Sequence, residues 1–255
     1  MWNPDHPNRI TVGPAPIDFV SLDDAALAIA SRSLRGGVHL CNAYTLALAD
    51  ERPEIAEVLN ADAANLPDGM PLVWWAKRNG APAAERVYGP DLMERVLDLG
   101  RAYDTRHYLY GSTTDVLAEL EAAIAMRWPG TQIVGTESPP FRDLTDDEIG
   151  ESVNRAAVAG ANVVWVGMGT PKQDLLVHRM AGMHDATFVA IGAAFDFIAG
   201  TKSQAPRWVM RVGMEWLYRL VTEPRRLWKR YLVYNAKFVR LLWRSRRQRQ
   251  GTNSL

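Results

Sequence analysis

The sequence predicts an α/β fold, a mostly parallel sheet with helices on both faces. Three observations carry this. Short β-branched runs alternate with longer helical patterns, several runs end at a glycine that opens the next helix, and the innermost runs lack polar–apolar alternation, as strands covered on both faces do. Candidate strands cover 38–42, 107–110, 131–134, 162–166 and 187–191. Glycines punctuate them in Tyr110-Gly111-Ser112, Val134-Gly135, Val166-Gly167 and Ile191-Gly192. Helical patterns lie near 22–35, 44–50, 53–60, 70–79, 90–105, 113–127, 145–159 and 171–182. Val163-Val164-Trp165-Val166 is apolar throughout and marks a central strand. No internal repeat or low-complexity linker interrupts the pattern.

Composition bounds the function. The chain has 255 residues, 47% hydrophobic and 23% charged, which excludes a disordered or collagen-like chain. The single cysteine, Cys41, excludes a disulfide framework and a cysteine-based zinc site, so a reducing compartment is expected. No apolar run approaches the roughly 18 residues of a membrane span. Met1-Trp2-Asn3-Pro4-Asp5 lacks the basic-then-apolar pattern of a signal peptide, and a soluble, cytoplasmic chain is the expectation.

The net charge of zero hides a division near Gly200. Residues 1–199 hold 15 Lys/Arg against 27 Asp/Glu, whereas residues 200–255 hold 14 Lys/Arg against two acids, Glu215 and Glu223. We therefore divide the chain into an α/β body, 1–199, and a basic helical appendage, 200–255. Such asymmetry points to a polyanionic surface as partner.

In an open α/β sheet, ligands bind beyond the carboxyl ends of the strands, where glycines let phosphates approach backbone N–H groups. Gly111-Ser112-Thr113-Thr114 and Gly167-Met168-Gly169-Thr170-Pro171 stand at such places. Neither is a Walker loop, and the second lacks the third glycine of a dinucleotide fingerprint. Read singly, each is a tight strand–helix turn; together they favour a phosphate-bearing ligand, a nucleotide sugar over a nicotinamide cofactor. Asn65-Leu66-Pro67-Asp68-Gly69-Met70-Pro71 holds Asp68 on a proline-flanked turn before an apolar helix. Asp68 is either the N-cap of that helix or a general base on a rigid loop. Asn42, at the end of the first candidate strand, either closes an Asx turn or orients a sugar hydroxyl.

Metal chemistry finds no support. His6, His39, His107, His178 and His184 form no pair spaced for one helix face, and His39 and His107 fall in apolar strands, where a hydrogen-bonded core role is expected. Asp146-Asp147-Glu148 after Thr145 reads as acids at a helix start, where the macrodipole favours them. No Gly-x-Ser-x-Gly elbow occurs, which excludes an α/β-hydrolase.

The appendage predicts two helices. The first spans 207–221 and stops near Glu223-Pro224. The second, from about 224, spaces Leu227, Tyr231, Tyr234, Phe238, Leu241 and Leu242 by threes and fours, with Arg226, Arg230, Lys237, Arg240, Arg244 and Arg247 on the opposing side. Four of the nine tryptophans lie here: Trp208, Trp216, Trp228 and Trp243. Basic residues with interfacial aromatics fit adsorption to an anionic bilayer, at about 1 kcal/mol per engaged Lys/Arg. The alternatives are docking of the apolar stripe on the body or on a second copy of the chain. Nucleic acid is disfavoured as a partner because the body is acidic.

Several segments, taken in order, resemble the bacterial WecG/TagA/CpsF glycosyltransferases, family 26 of the sequence-based classification. They are Asn42-Ala43, Leu66-Pro67-Asp68-Gly69-Met70-Pro71-Leu72-Val73, Arg86-Val87-Tyr88-Gly89-Pro90-Asp91-Leu92-Met93, Tyr108-Leu109-Tyr110-Gly111-Ser112, Val166-Gly167-Met168-Gly169-Thr170-Pro171-Lys172-Gln173-Asp174, Gly192-Ala193-Ala194-Phe195-Asp196-Phe197, Ala205-Pro206-Arg207-Trp208 and Glu215-Trp216-Leu217-Tyr218-Arg219 through Glu223-Pro224-Arg225-Arg226-Leu227. The resemblance implies a Rossmann-like body and an inverting transferase. It would move a hexose or N-acetylhexosamine from a UDP-sugar to a polyprenyl-diphosphate-linked sugar, at the inner face of the cell membrane, for a surface polysaccharide. No cofactor and no bound metal are implied. Asp68 matches the general base, and Asn42 and Arg86 match residues near the sugar and diphosphate. Gln173 and Asp196 match the donor pocket, walled by Gly111, Ser112, Gly167 and Gly169. Arg207, Arg211, Arg219, Arg225 and Arg226 fall in the appendage, where at least one should reach a diphosphate. The chain departs from many relatives at Leu40, where they carry Thr, and at Gln204, where they carry Arg. Rival readings are a nucleotide-dependent oxidoreductase on the same fold and a nucleotide-binding scaffold recruited to the membrane without turnover.

Overall fold

The computed structural model describes residues 8–252, apart from the side chains of Arg226 and of residues 246–252. Six parallel strands form one sheet: β3 (Gly36–Cys41), β4 (Ala64–Pro67), β5 (Arg106–Gly111), β6 (Gln132–Glu137), β7 (Val163–Gly167) and β8 (Thr187–Ala190). Their order is β4-β3-β8-β7-β5-β6. A small antiparallel hairpin, β1 (Arg9–Val12) and β2 (Ala15–Asp18), precedes them. The hairpin joins the β4 edge through Asp18, whose carboxylate accepts the Asn65 backbone N–H at 2.9 Å.

Both faces of the sheet are covered, as the unbroken apolar runs require. Val163 and Trp165 of β7 pack with α1 (Leu22–Ala30), α5 (Gly89–Gly100), α6 (Thr114–Arg127) and α9 (Ala194–Ala199). Val164 and Val166 point the other way, toward α7 (Asp146–Val158) and α8 (Lys172–Ala181). Trp165 is fully buried, and its indole N–H donates to His107 Nδ1 at 3.1 Å. The acids at 146–148 do start a helix: Thr145 and Glu148 cap α7 reciprocally.

Two stretches differ from the sequence reading. Asn65-Leu66-Pro67 belongs to a strand, not a turn. Pro67 is tolerated because β4 is the sheet edge, where a missing backbone N–H breaks no ladder. The first appendage helix is two: α10 (Arg207–Arg211) and α11 (Glu215–Thr222). Gly213 breaks it with a left-handed φ of +73°, and a Cβ there would lie 2.5 Å from the Trp74 ring. Beyond Glu223 come α12 (Pro224–Trp228), a π-helical turn (Lys229–Val233) and α13 (Tyr234–Thr252).

The C-terminal helices share the body's core. Phe238 and Leu241 of α13 are buried with β1, β2, α2 (Ala43–Ala49), α3 (Pro53–Ala61) and α4 (Met70–Arg78). The Gly13 N–H donates to Ser245 Oγ at 3.1 Å. Among the described residues, no helix is long and apolar enough to cross a membrane.

Candidate active site

A cleft of about 800 Å³ runs across the carboxyl ends of the strands. That is within the size range of small-molecule sites. Residues at or just beyond all six strand ends line it: Asn42 after β3, Asp68 after β4, Ser112 after β5, Pro139 after β6, Gly167 at the end of β7 and Ile191 after β8. The far wall comes from the appendage, through Arg219, Leu227, Lys229, Arg230 and Tyr234. A side pocket of about 120 Å³ shares Asn42, Tyr44, Asp68, Arg219 and Arg230 with the cleft and continues between Met70, Pro71, Trp216 and Tyr231.

The glycines are needed for close approach. Gly111 and Gly167 lie side by side in register, and a Cβ on Gly111 would lie 2.8 Å from the Gly167 carbonyl oxygen. A Cβ on Gly167 would meet the Phe195 ring at 2.6 Å. The loop beyond is held by Gln173, buried in the first turn of α8, whose Oε1 accepts the Gly169 N–H at 2.8 Å. Ser112, at φ +61°, accepts the Ser138 hydroxyl on its carbonyl. Asp196 lines the cleft and pairs with Lys202 at 3.1 Å.

Asp68 is not a helix cap; Gly69 occupies the N-cap of α4. Its backbone N–H donates to the Cys41 carbonyl, tying the loop to the adjacent strand end. Its carboxylate is nearly bare of hydrogen bonds. Oδ1 has none and lies 3.6 Å from Arg86 Nη2, and Oδ2 accepts only a long 3.5 Å bond from Asn42 Nδ2. Burial pushes this carboxyl above the ordinary range; Arg86 opposes the shift and the Glu215 charge adds to it. Asn42 is the N-cap of α2. Its Oδ1 caps α2 through the N–H groups of Tyr44 and Thr45, which leaves its amide facing Asp68. Arg86 donates from Nε to the Asp68 carbonyl and from Nη2 to Glu215 at 2.7 Å, with its plane 4.2 Å from the Tyr88 ring centroid.

The appendage arginines separate. Arg219 lines both pockets and lies 5.7 Å from the Phe197 ring. Arg207, Arg211 and Arg225 are exposed and line neither. The side chain of Arg226 lies outside the described residues. Arg230, assigned to the solvent face from sequence, instead faces the cleft, 4.5 Å over the Tyr44 ring, with its Nε unpartnered. It stands three residues after Leu227 and four before Tyr234, at the margin of the apolar stripe, so its charge was a poor guide to its facing. Sequence reasoning also missed Glu215, Tyr44 and Tyr88 as site residues, and Phe141, an almost fully exposed ring at the cleft rim. Among the described residues, no cluster of three His, Cys, Asp or Glu side chains could hold a metal.

The chain matches the model of the glycosyl transferase WecG/TagA/CpsF family over residues 10–252. It belongs to that family. A relative from Bacillus spizizenii, an N-acetylglucosaminyldiphosphoundecaprenol N-acetyl-β-D-mannosaminyltransferase, is 31% identical over 185 residues, covering 72% of this chain and 70% of the relative. The protein is therefore a glycosyltransferase, and the match extends through the C-terminal helices that close this glycosyltransferase's cleft.

Proposed function

We propose that the protein is an inverting transferase that moves a hexose or N-acetylhexosamine from a UDP-sugar to a polyprenyl-diphosphate-linked sugar, in bacterial surface polysaccharide synthesis at the inner membrane face. One observation carries this: a poorly hydrogen-bonded carboxylate, Asp68, shares a cleft with three cations that have no carboxylate partner among the described residues, Arg219, Lys229 and Arg230. The carboxylate suits a general base, and the cations suit phosphate oxygens. The Bacillus relative's acceptor, a diphosphoundecaprenol-linked sugar, carries such phosphates.

The chemistry is a single displacement. The acceptor hydroxyl oxygen forms a bond to the anomeric carbon while its proton passes to an Asp68 oxygen. The bond from that carbon to the UDP oxygen breaks, and its electron pair leaves on the diphosphate. Asn42 orients the Asp68 carboxylate, and the loop that Gln173 holds at Gly169 offers backbone to the nucleotide. Arg219 and Arg230 stabilise the departing charge, a role in which one well-placed donor is worth about 10²–10³ in kcat.

The outer surface of the appendage supports membrane docking. Trp208 and Val221 are 70% and 73% exposed, and Trp228, Leu232, Val239 and Trp243 also face solvent. The exposed Arg207, Arg211 and Arg225 belong to the same helices. Basic side chains beside interfacial aromatics attract anionic lipid headgroups and anchor in the acyl boundary.

Calorimetric titration with UDP, UDP-glucose, UDP-N-acetylglucosamine and NADH, with and without magnesium, tests the donor class. Uridine ligands should bind and NADH should not; the reverse would overturn the proposal. Asp68→Asn should keep UDP affinity while kcat on a short-chain lipid-linked acceptor falls about 10²–10⁴-fold.

A further inference from the structure

We infer that Glu215 is a positioning residue for the transfer: by taking the shorter contact with Arg86, it holds that cation back from Asp68 and leaves the Asp68 carboxylate free to accept a proton. The inference rests on the reading of Asp68 as general base.

The geometry is a competition. Arg86 is anchored at one end, because its Nε donates to the Asp68 backbone carbonyl, and its plane is set against the Tyr88 ring. From that anchor Nη2 lies between two carboxylates, 2.7 Å from Glu215 Oε2 and 3.6 Å from Asp68 Oδ1. The first is a charge-assisted hydrogen bond; the second is too long for one. Without Glu215, the same guanidinium needs only a small swing to grip Asp68. An arginine held on a carboxylate lowers its pKa by about 1–3 units and occupies the lone pairs a base must use.

Glu215 has little else to explain its place. It is one of two acids in the appendage, is buried at the start of α11, and has Arg86 as its only ion-pair partner among the described residues. Breaking such a buried pair is costly, but building it adds little stability over well-packed apolar residues. Its contact also spans the chain, joining α11 to the loop before α5 across 129 positions. The appendage thereby sets the electrostatics of a base that the body carries.

The other groups around Asp68 are Arg219 of α11, Arg230 and Tyr231 of the π-helical turn, Tyr88 before α5, and Cys41 of β3. Glu215 is the nearby carboxylate acting on Asp68, and its charge pushes the Asp68 pKa upward while Arg86 pulls it down. Neutralising Glu215 therefore removes an upward push and releases the opposing cation, so both changes lower the Asp68 pKa.

The test uses the full chain with a UDP-sugar donor and a short-chain lipid-linked acceptor. The profile of kcat against pH is measured from about pH 4 to about pH 9 for wild type, Glu215→Gln, Glu215→Asp and Asp68→Asn. In parallel, a ¹³C-carboxyl NMR titration follows Asp68 in the first three. Glu215→Gln should move the acidic limb and the Asp68 titration down by about one pH unit or more and lower the plateau kcat several-fold, with donor KM nearly unchanged. Glu215→Asp keeps the charge on a shorter arm and should shift both in the same direction by less. If Glu215→Gln does not fold, the Glu215→Asp titration decides: an unshifted Asp68 means a structural role only. Unmoved limbs and titrations in a folded Glu215→Gln overturn the inference. Turnover retained by Asp68→Asn overturns the base reading itself, whatever Glu215 does.

Discussion

The two walls of the cleft treat charge in opposite ways. On the strand-end wall, the cations are answered: Arg142 grips Glu148 and Lys172 pairs with Asp143 at 3.1 Å, and Lys202, where the appendage begins, pairs back onto Asp196 of that wall at 3.1 Å. On the appendage wall, Arg219, Lys229 and Arg230 face the same space without a carboxylate among the described residues. A half-buried guanidinium left unpaired is a cost to folding, and burial lowers the pKa of Arg230 as Arg219 does from nearby. The difference teaches that the strand-end wall is built to hold its shape, whereas the appendage wall keeps cations in reserve, as the proposed transfer of a diphosphate-bearing sugar requires.

The sharpest test of the first half lies beneath the strand-end wall. His39 is fully buried in β3, with Nδ1 3.0 Å from Asp174 and Nε2 2.7 Å from Asp62, which also binds His178 at 2.9 Å. Burial alone would lower its pKa, but the hydrogen bonds and charges of Asp174 and Asp62 outweigh it and raise the value to about 9. Imidazolium His39 thus clamps the Asn42 strand to α8, next to Gln173. His39→Gln leaves two buried carboxylates facing a neutral side chain and should destabilise the fold by about 3–5 kcal/mol, read by denaturant unfolding. The pH dependence follows from the sign of the shift. A pKa raised in the folded state gives stability that is complete below about 6.5 and is lost as pH rises through about 9. Wild type should therefore lose stability across that window, and the variant should show a flatter curve. A wild-type curve as flat as the variant's would remove the clamp.

The second half predicts the opposite trade. Arg230→Met should lower kcat about 10²-fold while the midpoint of thermal unfolding stays level or rises, because a buried unpaired charge is replaced by an apolar chain of similar length. A fall in stability as large as that for His39→Gln would mean that Arg230 supports the fold and would erase the contrast between the walls.

How much of this was legible in the sequence follows the same division. The strand-end wall was readable because its signals are local. The apolar run at 163–166, the glycines at 111 and 167 and the caps at Asn42 and Thr145 each act within a few residues. Even there, the four-residue strands β1, β2 and β4 escaped notice: β2 and β4 contain prolines, and four positions are too few for the alternation of β1 to stand out. His39 and His107 looked alike, both in apolar strands. Yet burial without a charged partner drives His107 down to about 3, whereas two aspartates brought in from α8 and the end of α3 raise His39. On the appendage wall, Arg219 was named among five arginines that charge could not rank. Glu215 and Arg230 were missed because their facing depends on how α11 and the π-helical turn pack against residues more than a hundred positions away.

The smallest expected effect is on the answered cations. Lys172 and Asp143 are both largely exposed, so their 3.1 Å pair sits in water, where such bridges are worth about 0–1 kcal/mol. Lys172→Ala should therefore change unfolding free energy by less than about 1 kcal/mol, and adding salt to the wild type should move it equally little. The measurement that matters is UDP affinity in the same variant. Lys172 lines the cleft at the first residue of α8 but is already engaged by Asp143. If its charge is committed to that pair, UDP affinity should fall less than threefold, against a much larger loss for Arg230→Met. A comparable loss for both would mean that Lys172 leaves Asp143 when the donor arrives, and that the strand-end wall, too, supplies cations to the phosphates.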